Sequence, residues 1–254
     1  MLIDSHCHLD AKWFENDIPQ VIQNAKIKGI EAIITVSISP DIQQTKSIVA
    51  TYPNYVFWAL GLHPPGVDPQ TVQATAALIE QYESEIVAIG EVGLDYYWVK
   101  EQQLQEQQKE AFRVFIDLAA KLGKPLVVHS RDADADAIEI LEERNAKNVL
   151  MHCFSGTEAE AKRVIKNGWY ISVPTSVINR KVHQVMARTV PLNLMLLETD
   201  APFLAPERKS RNESANIRIS AQKIAEIKTT TFEEVAQKTT SNARKLYHLD
   251  ERMQ

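Results

Sequence analysis

Ile3-Asp4-Ser5-His6-Cys7-His8-Leu9-Asp10 opens the chain. In an extended strand successive side chains point to opposite faces, so His6 and His8 project together while Cys7 points away. Two neutral imidazoles on one side make a pincer for a borderline divalent ion, at ligand distances of about 2.0–2.2 Å. Alone the pair is a weak sign, because His-x-His on a surface strand is common. Its meaning depends on what else converges on it.

Outward from this stretch, a short apolar run, a turn and a segment of 3.6 periodicity recur in strict alternation. Strands are predicted at Leu2–Ser5, Ala32–Val36, Tyr55–Leu60, Ile86–Glu91, Pro125–His129, Val149–His152, Trp169–Val173 and Leu194–Glu198. Between them lie amphipathic helices with recognisable ends. Gly29 and Gly123 suit left-handed C-terminal positions. Ser39-Pro40-Asp41 and Asp68-Pro69 each supply a cap and a proline for a helix start. Thr157 with Glu160, and Thr231 with Glu234, form capping boxes. Eight βα units without a Gly/Ser/Pro-rich linker predict one domain, residues 1–254, folded as an α/β (β/α)8 TIM barrel. A doubly wound open sheet is the alternative.

Composition sets the boundaries. The chain has 254 residues, 44% hydrophobic and 24% charged, as an ordinary globular protein does. A net charge of −5 gives no global attraction to nucleic acid or anionic membrane, so a polyanion would need a local basic feature or a bound cation. The two cysteines, Cys7 and Cys153, are far apart and outside any metal-type spacing, which argues against a disulfide scaffold. No secretory leader and no long apolar run is visible. The expectation is a cytoplasmic protein with no membrane association and no obligate protein partner.

In a (β/α)8 barrel the site is built at the carboxyl ends of the strands. Of seven histidines, five fall there: His6, His8, His63, His129 and His152. Glu91 ends the fourth strand, and Glu198 and Asp200 end the eighth. For any one of these residues a structural role such as helix capping is reasonable; together they point to a metal centre. They exceed the set that one zinc takes. Two ions about 3.5–4 Å apart, bridged by a strand-end glutamate, is the natural arrangement, and hydrolysis by an acidified water is its natural chemistry. Asp200 could bind an ion and also accept the water's proton. Strand parity turns Cys7 and Cys153 away from the histidines.

Asp4-Ser5-His6-Cys7-His8, Gly61-Leu62-His63-Pro64, Gly90-Glu91-Val92-Gly93-Leu94-Asp95, His129-Ser130-Arg131, His152-Cys153-Phe154-Ser155-Gly156 and Glu198-Thr199-Asp200-Ala201-Pro202 together resemble the TatD family of metal-dependent hydrolases. The motifs stand in the family's order over nearly the whole chain. The resemblance implies a (β/α)8 barrel related to the amidohydrolases, with His6, His8, Glu91 and Asp200 at one ion and Glu91, His129 and His152 at the other. His63 would be a nearby polar residue that contacts substrate or orients a ligand. Asp200 and Glu91 are the expected catalytic residues, and Arg131 is an expected substrate contact. The loop after the eighth motif departs from the family. Many relatives carry an Arg-Gly-containing loop ending in Arg-Asn-Glu-Pro; here Ala205–Ser214 lacks that Gly and Pro but keeps Arg208, Lys209 and Arg211. These could grip a phosphodiester backbone or form a solvated basic loop.

The expected activity is a divalent-metal-dependent deoxyribonuclease (Zn, Mn, Ni or Mg), with Tyr96, Tyr97 and Trp98 stacking on a base or forming a hydrophobic lid. An esterase or amidase, including a deacylase of aminoacyl-tRNA, would use the same ligands. A barrel that binds metal without turnover is the third possibility.

Overall fold

The computed structural model describes residues 1–207 and 209–253. Arg208, one of the expected substrate contacts, lies outside the described residues. Eight parallel strands follow one another in sequence order: β1 (Leu2–Cys7), β2 (Ile30–Ile38), β3 (Val56–Gly61), β4 (Ala88–Asp95), β5 (Leu126–Arg131), β6 (Val149–Met151), β7 (Tyr170–Pro174) and β8 (Met195–Glu198). Beyond β8, Asp200 donates its backbone N–H to His6 (3.0 Å) and His8 donates to Ala201 (2.7 Å). These bonds draw the last strand onto the first and close the barrel at its carboxyl rim.

Helices α1 (Ile18–Ile27), α2 (Gln43–Thr51), α3 (Pro69–Gln81), α4 (Gln102–Leu122), α5 (Asp134–Glu143), α6 (Glu158–Lys166), α7 (Lys181–Thr189), α8 (Ile217–Lys228) and α9 (Phe232–Tyr247) surround it. Two apolar layers result. Leu2, Ile33, Trp58, Leu60 and Val128 point outward into the helix layer, whereas Ile3, Ile34, Phe57, Val127, Leu150 and Leu196 belong to a second cluster inside the sheet. Leu246 and Tyr247 of α9 join the inner cluster. Asn242 fixes that helix by donating to the carbonyls of Leu192 and Met195 at the start of β8, 2.8 Å each.

Most expected caps form. Asp68 accepts from the N–H groups of Gln70 and Thr71, and Thr157 and Glu160 cap reciprocally. Thr231 accepts from Glu234 N–H (3.1 Å); the Glu234 carboxylate takes the Thr230 hydroxyl instead of returning the bond. The Ser39-Pro40-Asp41 expectation is corrected. The second strand runs on to Ile38, Ser39 N–H is committed to the Gly61 carbonyl at 2.9 Å, and α2 starts only at Gln43 without a side-chain cap.

The fourth strand is also longer than its apolar run suggests, pairing Val92–Asp95 with Val128–Arg131. Gly93 makes this possible: a Cβ there would lie 2.1 Å from the His129 carbonyl oxygen, and its φ is +138°. Only glycine lets β4 pass this close to β5. The close passage brings His129 beside Glu91.

His183 on α7 is 2% exposed, with Nδ1 2.7 Å from the Ser176 hydroxyl. Burial, aided by the Arg180 charge, lowers its pKa from 6.5 to about 4. The unfolded chain therefore gains a proton between pH 6.5 and 4 that the folded chain refuses, so stability is full above pH 6.5 and is lost as pH falls toward 4. Between pH 7 and 5 the loss from this residue is about 2 kcal/mol. Urea unfolding of His183→Gln should show a flatter pH dependence over that interval; an unchanged slope contradicts the assignment.

Candidate metal centre

Seven side chains meet at the carboxyl rim: His6 and His8 from the end of β1, His63 after β3, Glu91 in β4, His129 in β5, His152 after β6 and Asp200 after β8. The register shift between Asp4 and Cys7 in β1 turns His6 inward while Ile3 also faces inward. Cys7 points the other way, toward the Ile34 carbonyl at 3.7 Å. Burial pushes the thiols of Cys7 and Cys153 well above their ordinary value, which keeps both protonated.

Glu91 is 3% exposed and stands at the middle, its two oxygens facing different partners. Oε2 lies 3.6 Å from His6 Nε2 and 3.7 Å from His8 Nε2. Asp200 Oδ1 lies 3.8 and 3.5 Å from the same two nitrogens, which are themselves 3.3 Å apart. Donors at about 2.0–2.2 Å from the centre of a tetrahedron stand about 3.3–3.6 Å from one another. The five separations therefore suit one enclosed divalent cation. Glu91 Oε1 faces the other side, 2.5 Å from His129 Nδ1, 3.0 Å from His152 Nε2 and 3.9 Å from His63 Nε2.

The electrostatics divide the histidines. Burial, with the neighbouring charge of His152, holds His6 well below its ordinary pKa, so it is a neutral ring with a free lone pair. Burial would lower His152 too, but Glu91 and Glu198 outweigh it and hold it well above. Burial would raise Glu91, yet the charges of His152 and His129 keep it ionised, well below the usual carboxylate range. A dense set of imidazoles balanced on one buried carboxylate is a donor set that a cation would satisfy in place of protons.

Two further carboxylates support the histidines: Asp95, to which the sequence reading gives no role, and Glu198, which it places only among the strand-end carboxylates. Asp95 Oδ2 accepts from His129 Nε2 at 2.9 Å, leaving Nδ1 toward Glu91. Glu198 Oε2 lies 3.5 Å from His152 Nδ1 and accepts the Ser172 hydroxyl at 2.6 Å. A carboxylate behind a histidine fixes its tautomer and ring orientation. The signal for Asp95 was its even spacing from Glu91, visible only once the strand is known to continue. A third carboxylate, Asp4, accepts from the Thr199 backbone (2.9 Å) and hydroxyl (2.6 Å), and so anchors the residue beside Asp200.

The other expected contacts are scattered. Arg131 stacks its guanidinium over Tyr97, 4.0 Å from the ring centroid, beside Trp98. Tyr96 is tied to Asp136 through its hydroxyl. Arg211 is not brought to the site: it forks onto Asp17 (2.8 and 2.6 Å) and donates to the Trp13 carbonyl. It joins two loops. Among the described residues no helix is long and apolar enough to cross a membrane.

Comparison with known proteins shows the family and the fold. The family model "TatD related DNase" matches residues 3–248. A Bacillus subtilis protein described as an uncharacterized metal-dependent hydrolase, YabD, is 37% identical, covering 98% of this chain and all of its own. The human deoxyribonuclease TATDN3 is 36% identical, covering 97% of this chain and 94% of its own. Among solved structures, a TatD family hydrolase from Entamoeba histolytica superposes with a TM-score of 0.86 at 25% identity, covering 97% of both chains. The TatD homologue YJJV of Escherichia coli gives 0.87 at 24% identity, covering 97% and 98%, a likeness of fold. Motif order, barrel topology and a family match over nearly the full length lead to one conclusion: the chain belongs to the TatD-related DNase family of metal-dependent hydrolases.

Proposed function

We propose that this hydrolase is a deoxyribonuclease that uses two divalent ions. His6, His8, Asp200 and Glu91 Oε2 would hold one ion, and Glu91 Oε1, His129 and His152 the other. The observation that carries this reading is the division of the Glu91 carboxylate between two groups of donors. DNA is favoured over a simple ester by the 36% identity to a deoxyribonuclease over nearly the whole chain. When bound, divalent ions at these groups acidify a water and offset charge on the attacked phosphoryl oxygens.

The protein's own groups do the rest. The Asp200 carboxylate, partly open to the site, takes the proton of the attacking water. His63, whose pKa burial lowers, offers a neutral imidazole to a phosphate oxygen from the Glu91 side. Arg131, prevented from wandering by Tyr97, supplies a cation outside the ligand cluster for the phosphodiester backbone. Asp95 holds the proton on His129 Nε2 and so keeps Nδ1 available.

The test is an activity panel: metal-reconstituted protein with end-labelled single-stranded DNA, aminoacyl-tRNA and simple esters. Shortened DNA is the expected result; ester release without DNA cleavage would overturn the substrate assignment. Asp95→Asn should lower the affinity for one of two ions by about 10–100-fold and leave the other nearly unchanged, read by isothermal titration. Equal loss at both sites would contradict its place behind His129.

A further inference from the structure

The basic loop after β8 turns its last part inward. Arg211, Asn212 and Glu213 are consecutive, and each ties the loop to a different part of the barrel. Arg211 donates to Asp17 in the loop after β1. Glu213 accepts the Asn24 amide at 3.2 Å to each oxygen, which fixes the loop to α1. Asn212, between them, is fully buried. Its Nδ2 donates to the Thr199 carbonyl and to the Thr175 hydroxyl, both at 2.8 Å. Its Oδ1 accepts from Glu213 N–H at 3.0 Å and from Asn216 Nδ2 at 2.9 Å, so the amide is saturated. The Thr175 hydroxyl in turn donates to the Leu204 carbonyl at 2.6 Å.

The Thr199 carbonyl belongs to the peptide plane that enters Asp200. The other polar atom of that plane, the Asp200 N–H, is held by the His6 carbonyl at 3.0 Å. With both of its polar atoms fixed the plane cannot turn, and the direction of the Asp200 side chain follows from φ alone. Downstream, Asn212 N–H donates to the Pro202 carbonyl at 3.0 Å. Asn212 therefore grips the chain on both sides of Asp200. The grip has a purpose, because Asp200 has a left-handed φ of +54°, which a residue with a side chain keeps only where its neighbours over-determine it. A turn of the plane would carry Asp200 Oδ1 away from His6 and His8, to which it stands at 3.8 and 3.5 Å.

We infer that Asn212 is a positioning residue for Asp200: from its buried place it sets, through the Thr199 carbonyl, where the Asp200 carboxylate stands. The inference rests on the reading of Asp200 as ion ligand and proton acceptor, and adds what aims it. The role calls for an amide and excludes a carboxylate, since the Thr199 carbonyl can only accept. An aspartate at this position would turn an oxygen toward that carbonyl, and an alanine would leave it buried without its donor.

Four variants make the test: Asp200→Asn, Asn212→Ala, the two combined, and Glu213→Ala as the control for a loosened loop. Asn212→Ala should lose about tenfold or more in kcat and about tenfold in affinity for one divalent ion, the latter read by isothermal titration of manganese into metal-free protein. Because both substitutions act on one carboxylate, the combined variant should match Asp200→Asn within about twofold in both readouts. Glu213→Ala should lower the melting temperature while kcat and ion affinity stay within about twofold of the parent. Asn212→Asp, which keeps the side-chain volume, should fail as Asn212→Ala does, and it takes the place of that variant if alanine prevents folding. Losses that multiply in the combined variant, an equal fall of kcat in Glu213→Ala, or full activity in Asn212→Asp overturn the inference. The two readings fail apart. Unchanged kcat in Asp200→Asn, with the shared loss of ion affinity, supports the positioning and overturns the proton acceptor; a large loss of kcat in Asp200→Asn, with none in Asn212→Ala, does the reverse.

Discussion

Asp200→Asn should lose about 10²- to 10⁴-fold in kcat while keeping its fold, the loss expected when a positioned proton acceptor is removed. The substitution preserves shape and removes one property. Asp200 has a left-handed φ of +54°, a conformation that asparagine tolerates nearly as well as aspartate. Its backbone N–H is held by the His6 carbonyl at 3.0 Å, and the preceding Thr199 is clamped by Asp4 through two hydrogen bonds. None of these contacts uses the Asp200 side chain. The amide keeps one oxygen toward His6 and His8 but cannot take a proton from water. Stopped assays at saturating metal, with circular dichroism as the fold control, make the comparison. Undiminished kcat would remove Asp200 from the chemistry.

Glu91→Gln should be more severe. Bound metal should fall from two ions per chain to one or none, and hydrolysis by at least about 10³-fold, because both groups of donors lose a shared anionic ligand. The neighbours make the case. His129 is pushed down by burial and up by Glu91 and Asp95, and the upward influence prevails; His152 rests on Glu91 and Glu198 in the same way. With the Glu91 charge gone, these buried rings keep only one carboxylate each. Breaking a buried charge pair by removing one partner costs about 3–5 kcal/mol, so a lower melting temperature should accompany the lost metal. Metal content by plasma mass spectrometry, beside thermal unfolding, reads both effects. Two ions retained in Glu91→Gln would show that the carboxylate does not join the two groups.

The barrel was legible because each βα unit carries its own local signals. The Asp68 and Thr157 caps form where the residues predict them, since a cap is a contact over three residues and needs nothing distant. The His6/His8 pincer was legible for the same reason: parity is a local property of a strand. Ser39-Pro40-Asp41 misled because sheet pairing to Gly61 claimed its backbone first, and that competition is tertiary. Asp95 stayed hidden because Gly93 interrupts the apolar run, and only the close approach to His129 shows why a strand continues through it. Arg211 read as a free cation on a basic loop. Its partner, Asp17, lies 194 residues away in sequence, and no pattern along the chain connects them. Local chemistry was visible in the residues, then, while the pairings that decide which charges remain free were not.

The most direct test is anomalous diffraction from crystals of the protein grown with manganese or zinc. Two peaks are predicted, one enclosed by His6, His8, Asp200 and Glu91, the other beside Glu91, His129 and His152. Anomalous density elsewhere on the chain, with none at the carboxyl rim of the barrel, would contradict the account.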